Sequence, residues 1–127
     1  MFNAWTKIKD LINKKQNILN ITTGTEFETG RIIDGKKEYG LRKNLGSLPN
    51  STNTTYNTGV SNSYKITKYQ LFAKNKTNNQ VLTVPFMNLR NTQYISAYFE
   101  NANTISAMCN FDGSAYELVI ELYYTKS

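Results

Sequence analysis

The sequence predicts a mainly β fold, an antiparallel β-sandwich of jelly-roll-like form with about eight strands and one N-terminal helix. Three observations indicate this class. Hydrophobic residues make up 39% of the 127 residues and include nine Tyr, six Phe and one Trp, more apolar surface than a disordered chain carries. Asn and Thr are frequent and Ala is scarce, which favours strands and turns over helices. Short alternating segments, separated by polar connectors, recur at the spacing of a sandwich.

The only segment with helical periodicity runs from Ala4 to Leu19. Its apolar residues recur at spacings of three and four, and the opposite face is polar. A helix of about two heptads is marginal alone in water, so it must pack on its own domain or on copies of itself. Isoleucines along the seam are compatible with a three-stranded coil, although two heptads alone do not set the number of strands. We predict a helical neck over residues 1–22 and a head domain over residues 23–127. The seam residues of the helix are Trp5, Ile8, Leu11, Ile12, Lys15, Ile18 and Leu19.

The head begins where β-branched residues and a glycine, between Ile21 and Thr25, end the helix. The dipeptide Asp34–Gly35 supplies the positive φ angles of a tight turn and predicts a β-hairpin. In the last strand the even positions from Tyr116 to Tyr124 are all apolar or aromatic, which predicts a buried face. The predicted strands are Glu26–Ile33, Lys36–Leu45, Thr54–Val60, Tyr64–Ala73, Val81–Met87, Gln93–Phe99, Thr104–Asn110 and Ala115–Thr125.

Charge and cysteine content limit the classes of partner. The net charge is +6, but the lysines are scattered rather than clustered, so a solvated basic surface is favoured over a specific nucleic-acid site. Such a surface favours approach to an anionic cell wall. The single Cys109 excludes an intrachain disulfide, and its alternating neighbours predict a buried small hydrophobe. We expect neither a signal peptide nor a membrane-inserted segment, since there is no n-region and no run of about 18 apolar residues.

The residues that most enzymes use are missing. The sequence contains no histidine, which removes the commonest general base and most zinc sites. The carboxylates on strand faces are expected to be solvated or paired with lysine, and the turn Asp112–Ser114 lacks the acidic density of a calcium loop. We predict no catalytic residues, no metal site and no cofactor, and therefore a binding or structural protein.

Two segments of the sequence carry motifs of a known family. The first is residues 11–19, Leu-Ile-Asn-Lys-Lys-Gln-Asn-Ile-Leu, followed by Thr22-Thr23-Gly24-Thr25. The second is residues 29–39, Thr-Gly-Arg-Ile-Ile-Asp-Gly-Lys-Lys-Glu-Tyr. The first resembles the junction at which, in phage tail-fibre and baseplate receptor-binding proteins, a short trimeric coil passes into a β-structured head. The second is similar to the hairpin that opens the C-terminal domain of many such proteins. Lys37 in place of a common proline and the inserted Gly40 depart from this pattern.

The resemblance implies that the helical neck over residues 1–22 is a trimerising coiled coil with its seam residues as the trimer interface. It also implies a homotrimeric tail-fibre tip in the virion, made in the host cytoplasm. It would contact other tail or baseplate proteins and bind a bacterial surface saccharide or protein receptor. The sequence leaves two alternatives open. One is a purely structural trimerisation or capping module, and the other is a monomeric carbohydrate-binding module whose helix folds back on its own sandwich. A short cell-wall hydrolase ranks last because acid and base residues are lacking.

The alternating direction of successive strands predicts which turns share one end of the domain, and so where a ligand binds. If strands alternate in direction from a basal helix, the turns at residues 34–35, 61–63, 88–91 and 111–114 share the distal end. The turns at 46–53, 74–79 and 100–103 then share the near end. The distal turns present amides, charges and aromatic rings, which are the groups that bind sugars. The alternative is that the aromatic rings end their strands in the core. The candidate ligand-binding residues are Asn62, Tyr64, Asn88, Arg90, Asn91, Phe111 and Asp112.

Overall fold

The structure is a computed structural model that describes residues 4–9 and 23–127. Residues 4–9 are helical, and their apolar side chains Trp5 and Ile8 are 63% and 47% exposed. The other predicted neck residues, Leu11, Ile12, Lys15, Ile18 and Leu19, lie outside the described residues. The trimeric neck and its boundary at residue 22 therefore stay predictions.

The described part of the head is a two-sheet antiparallel sandwich, which confirms the predicted fold class. Its strands are β1 (Phe27–Ile33), β2 (Lys36–Ser47), β3 (Asn53–Asn57), β4 (Lys65–Asn75), β5 (Val81–Val84), β6 (Phe86–Asn88), β7 (Gln93–Phe99), β8 (Thr104–Cys109) and β9 (Tyr116–Thr125). One sheet has five strands in the order β1-β2-β9-β4-β5, and the other has four in the order β3-β8-β7-β6. The C-terminal strand β9 lies in the middle of its sheet, between β2 and β4.

Pro85 divides one predicted strand into two. The segment Val81–Met87 was expected to be a single strand, but β5 pairs with β4 in the five-stranded sheet, and β6 pairs with β7 in the four-stranded sheet. The Val84–Pro85 peptide bond between them is cis. Proline has no N–H to donate to a ladder, so the strand ends there. The described head therefore contains nine strands rather than eight.

The predicted hairpin and the predicted buried face are both confirmed. Asp34 and Gly35 have φ angles of 51° and 78°, and Ile33 pairs with Lys36 across the turn. Along β9 the side chains of Leu118, Ile120, Leu122 and Tyr124 are buried in the core, and Tyr116 packs against it. These side chains meet inward-facing residues of β8 and β7, such as Ile105 and Ile95.

The outer face of the five-stranded sheet is partly covered as well. Gly40 lies directly under the ring of Phe27, and a Cβ on Gly40 would come within 2.4 Å of the Phe27 Cζ atom. The Phe27 ring also makes an edge contact with Tyr123, with ring centroids 6.3 Å apart. The inserted Gly40, a departure from the resembling hairpin pattern, thus leaves room for the Phe27 ring to lie across this face.

Strand pairing assigns every turn to one of two ends. Lys65 and Glu38 both pair with Thr125, so the Asp34–Gly35 turn lies at the end where β4 begins, the hairpin end. At the opposite, far end, Asn75 pairs with Tyr116. Strand β3 runs from the far end to the hairpin end. Because β8 is antiparallel to β3, and β7 is antiparallel to β8, the directions of β8 and β7 follow. Residues 58–64 and 100–103 lie at the hairpin end, and residues 48–52, 76–80, 89–92 and 110–115 lie at the far end.

Candidate functional site

A cavity of about 440 Å³ opens at the hairpin end, between the five-stranded sheet and the loops at residues 58–64 and 100–103. We call it the rim cavity. Its wall combines aromatic rings, two charged groups and neutral hydrogen-bonding groups. The residues that give it this chemistry are Glu26, Lys43, Ser61, Tyr64, Asn103 and Tyr124. A volume of this size is typical of small-molecule sites, which combine apolar walls with a few fixed polar groups.

The aromatic wall consists of Tyr64 and Tyr124, and Tyr39 supports it from outside the cavity lining. The rings of Tyr64 and Tyr124 are 5.6 Å apart at an angle of 17°, and Tyr39 stacks on Tyr124 from the other side at 6.3 Å. The Tyr124 hydroxyl donates to Glu26 Oε2 at 2.5 Å, and Lys126 Nζ lies 2.7 Å from Glu26 Oε1. Burial, together with the hydrogen bond to Glu26, raises the pKa of Tyr124, which stays a neutral donor. The wall is therefore held in a fixed geometry.

Two loops close the rim cavity and are tied to each other. The Thr58 Oγ1 hydroxyl is fully buried and donates to the Ala102 carbonyl at 2.7 Å. The Asn103 side-chain amide donates to Asn57 Oδ1 and to the Val60 carbonyl, at 3.1 and 3.0 Å. Both hydrogens of that amide are thus engaged, and its oxygen is the group left to accept from a ligand. These bonds join segments more than 40 positions apart in the sequence.

A second cavity, of about 360 Å³, lies at the same end and is basic. Arg31, Lys36 and Lys65 line it together with Asp34 and the hydroxyl-bearing Thr67 and Thr125. We call it the basic cleft. Arg31 is held in place by an ion pair to the buried Glu38, with Nε 3.1 Å from Oε1. The cleft contributes to the basic character of this end of the molecule.

The structure separates the predicted ligand residues into two groups. Asn62 and Tyr64 lie at the hairpin end, and Tyr64 lines the rim cavity. The others, Asn88, Arg90, Asn91, Phe111 and Asp112, lie at the far end, some of them in the turns beyond β6 and β8. The prediction that all seven share one end is wrong. Because the chain reverses at Pro85, one extra strand inverts the direction of every later turn.

The far-end amides and carboxylate shape their own turns. Asn88 Oδ1 accepts from the Arg90 N–H at 3.0 Å, and Asn91 Oδ1 accepts from the Gln93 N–H at 3.2 Å. Asp112 Oδ1 accepts from the Ser114 N–H at 3.1 Å, and hydrogen bonds from Ser114 lower the pKa of Asp112. This is the Asx-turn role of such residues. Phe111 packs partly against the core.

Most residues of the rim cavity were not predicted from the sequence, although the sequence contains one local signal for the cavity. Along β2 the inward positions run Tyr39, Leu41, Lys43 and Leu45, so Lys43 is a charge in an apolar series. Its Nζ donates to the Asn57 carbonyl at 3.3 Å, at the wall of the rim cavity. Glu26, Ser61 and Asn103 carry no comparable local signal.

The outward side of the four-stranded sheet forms a third distinctive surface. No Lys, Arg, Asp or Glu occurs in β3, β6, β7 or β8, whereas β1, β2, β4 and β9 all contain charged residues. We call this outward side the uncharged face. The largest side chains on it are Met87, Tyr94, Tyr98 and Met108.

Cys109 is buried and free, as the sequence predicted for a small core residue, and burial raises the pKa of its thiol to about 11.

Among residues 4–9 and 23–127, no group of three or more Cys, Asp or Glu side chains is placed to hold a metal ion. Within the same described ranges no helix has the length and apolarity needed to cross a membrane. No protein-family model, curated protein or solved structure matches this chain.

Proposed function

We propose that this protein is a non-catalytic receptor-binding head at the tip of a phage or phage-like tail fibre, where it acts as a homotrimer and binds a bacterial surface saccharide. The rim cavity is the proposed saccharide site, and its composition is the observation that carries the proposal. The sequence resemblance at residues 11–25 and 29–39 supports the tail-fibre part and the homotrimer.

The chemistry of the rim cavity matches that of a sugar. A pyranose ring offers apolar C–H groups on its faces and hydroxyls around its edge. The stacked Tyr64 and Tyr124 present an aromatic wall, while Lys43 can donate and the Asn103 oxygen can accept. Glu26 is already engaged by Tyr124 and Lys126, so it orients the wall more than it reaches the ligand.

The surface charge favours the setting in which such a ligand occurs. The net charge of +6 and the basic cleft attract the chain towards anionic polymers such as those of a bacterial cell wall. This attraction is long-range and weakens with salt, whereas recognition in a cavity of matched shape does not depend on salt to the same degree. Binding should therefore retain a salt-resistant component.

The test is a pair of substitutions in one turn. Ser61 lines the rim cavity, and Ser63 lies two residues on, exposed and outside the cavity lining. The two hydroxyls hydrogen-bond to each other at 2.9 Å, so either substitution removes this contact, and Ser61→Trp also removes a longer bond of 3.4 Å from the Ser63 N–H. Ser61→Trp fills the cavity, and Ser63→Trp is the matched control.

Binding of the labelled full chain would be measured on a panel of bacterial cells, purified wall teichoic acid and a glycan array. We expect at least one saccharide to bind the unmodified chain and the Ser63→Trp variant, and to lose binding to Ser61→Trp. Binding nowhere on the panel would support a purely structural module. Equal binding by both variants would remove the rim cavity as the site.

A further inference from the structure

The basic cleft gathers positive charge from three strands around a hydroxyl floor. Arg31 comes from β1, Lys36 from the start of β2 and Lys65 from the start of β4. Thr125 of β9 lies at the floor, because it pairs with Lys65 on one side and with Glu38 on the other. The four lining side chains thus come from four strands, and only the ladders of the five-stranded sheet bring them to one cleft.

The Arg31 guanidinium is held in place with part of its donor set turned away from its partner. Its Nε lies 3.1 Å from Glu38 Oε1, and its Nη2 donates to Glu38 Oε2 at 3.3 Å. Glu38 is itself buried and held by the hydroxyls of Thr29 and Thr67. A guanidinium has five N–H donors, so the edge formed by Nη1 and Nη2 keeps donors for a second oxyanion. A ligand would therefore meet an arginine that is already ordered.

Thr125 supplies a hydroxyl that the fold leaves to the cleft. The residue is only 4% exposed, and its side chain makes no hydrogen bond with any other residue in the ranges 4–9 and 23–127. Across the same ranges, no side-chain nitrogen or oxygen is both sealed from solvent and unpartnered. The Thr125 oxygen must therefore open into the cleft that its side chain lines. A hydroxyl in this position can donate to an anion held above it.

We propose that the basic cleft is a specific site for the phosphate group of a phosphorylated saccharide. A phosphate has oxygens in several directions, and the cleft surrounds it with an arginine edge, two lysine ammonium groups and the Thr125 hydroxyl. A carboxylate has two oxygens in one plane and would use the arginine edge alone. At about 360 Å³ the cleft also has room for the sugar that carries the phosphate.

Negative groups near the cleft limit its affinity without cancelling its charge. Asp34 is the carboxylate among the lining residues, and Lys36 donates to a Ser127 main-chain oxygen. A lysine ammonium has three N–H donors, so that contact leaves two of them for a ligand. The Lys65 side chain makes no ion pair or hydrogen bond within the part of the chain that the structure describes. We therefore expect binding of a single phosphate group in the millimolar range.

The basic cleft and the rim cavity are lined by neighbouring residues. Tyr64 and Tyr124 line the rim cavity, while the next residues, Lys65 and Thr125, line the basic cleft. Successive side chains of a strand such as β9 point to opposite faces, so the two sites lie on opposite faces of one sheet end. The inference rests on the proposed function for the saccharide that carries the phosphate, whereas the phosphate site depends on the cleft alone.

A nucleic acid is the less suitable source of the phosphate. Proteins that bind a nucleic-acid backbone neutralise a row of phosphates with many Lys and Arg side chains. The lysines of this chain are scattered along the sequence, and the three cations of the cleft converge on one point. The cleft therefore fits one phosphate group better than a run of them.

The experiment is an NMR titration of the isotope-labelled full chain with three probes that share one sugar: glucose, glucose 1-phosphate and glucuronate. We expect glucose 1-phosphate to saturate the backbone amide signals around the cleft, and glucose and glucuronate to leave them nearly unchanged. Dimethyl phosphate is a fourth probe. If it binds as well, the site accepts a phosphate inside a polymer, and if it does not, the site takes a terminal phosphate; both results support the proposal.

Two variants and one control separate recognition in the cleft from general attraction. Lys65→Gln removes one cation of the cleft, and Thr125→Val removes the hydroxyl while keeping the shape. Lys74→Gln removes the same charge near the other end of β4, at an exposed position. We expect binding of glucose 1-phosphate to weaken by roughly tenfold or more in Lys65→Gln and by roughly fivefold in Thr125→Val. In Lys74→Gln it should stay within about twofold, because only screened long-range attraction is lost.

Five results would overturn the proposal. One is the lack of saturable binding of glucose 1-phosphate up to roughly 50 mM. Another is an equal loss in Lys65→Gln and Lys74→Gln, which would leave only diffuse attraction. A third is glucuronate binding as tight as that of glucose 1-phosphate. The fourth is phosphate binding that is lost in Ser61→Trp, which would move the phosphate to the rim cavity. The last is a DNA duplex that binds through Lys65 more tightly than any phosphorylated sugar.

The outcomes for the cleft and for the proposed function are separable. Saccharide binding that is lost only in Ser61→Trp leaves the proposed function standing when the cleft binds no phosphate. Phosphate binding that is lost only in Lys65→Gln and Thr125→Val leaves the cleft standing when no saccharide binds the rim cavity.

Discussion

Replacing Glu38 by glutamine should destabilise the head, because its carboxylate holds three strands together while buried. Glu38 lies on the outer face of β2 and is only 1% exposed. Thr29 and Thr67, from β1 and β4, donate their hydroxyls to its two oxygens at 2.9 and 2.7 Å. Arg31 completes the set with Nε at 3.1 Å.

The magnitude follows from these contacts. A hydrogen bond to a charged group contributes about 1.5–3 kcal/mol. Glutamine keeps the shape and one acceptor oxygen, so it loses about one such bond together with the ion pair to Arg31, which is half exposed and can be rehydrated. We expect Glu38→Gln to lower the free energy of unfolding by about 2 kcal/mol, which lowers Tm by roughly 8 °C or more for a domain of this size.

The matched control is Glu28→Gln in the neighbouring strand. Glu28 pairs with Lys37 at 3.5 Å, but both side chains are well exposed, so this change should cost no more than about 0.5 kcal/mol. Urea unfolding at pH 7, followed by circular dichroism, measures both variants. If Glu38→Gln costs no more than Glu28→Gln, the buried carboxylate does not stabilise the head and the reasoning fails.

The pH dependence gives an independent check. Burial raises the pKa of Glu38, but hydrogen bonds from Thr67 and Thr29 and the charges of Arg31 and Lys68 outweigh it and hold the pKa below its ordinary value. A lowered folded-state pKa stabilises the protein above the unfolded-state pKa, and this contribution is lost as the pH falls through the folded-state value. The difference between the unmodified chain and Glu38→Gln should therefore be full at pH 7 and shrink below about pH 4.

Three further predictions concern stability and the thiol. Gly40→Ala should cost about 1–3 kcal/mol because the new methyl would displace Phe27. A double-mutant cycle with Phe27→Ala should show strong coupling, and additive costs would contradict the packing. Cys109 should react with a thiol reagent at pH 8 at least roughly 100-fold more slowly in the folded protein than in denaturant, because burial raises the pKa of its thiol to about 11. Rapid labelling of the folded protein would argue against this burial. Tyr56→Phe should cost about 1 kcal/mol, measured by urea unfolding, because the Tyr56 hydroxyl donates to the Ser47 carbonyl at 2.7 Å; an unchanged midpoint would count against that bond.

Features that depend on neighbouring residues could be predicted from the sequence. The Asp34–Gly35 turn needs only two residues that tolerate positive φ, and both adopt it. The buried side of β9 follows from alternation, because successive side chains of a strand point to opposite faces. The burial of Cys109 follows from the same alternation in β8.

Features that depend on which strands pair could not be predicted in this way. The segment Val81–Met87 was predicted as one strand although it contains Pro85, and only the pairing of β5 with β4 and of β6 with β7 shows that the chain changes sheets there. That single crossing moved the turns at 88–91 and 111–114 to the far end. The rim cavity is similarly non-local, since Glu26, Lys43 and Asn103 come from distant segments that meet only in the folded chain.

The sequence by itself determined the β class, the turn chemistry and the alternation that builds the core, because these depend on steric and solvation preferences within a few residues. Only the tertiary structure decided which turns share an end, that Glu38 is buried on an outward face, and that the charged strand residues all lie in one sheet. These properties follow from hydrogen-bond ladders between strands far apart in the chain, and the order and direction of such ladders are not encoded in local preference.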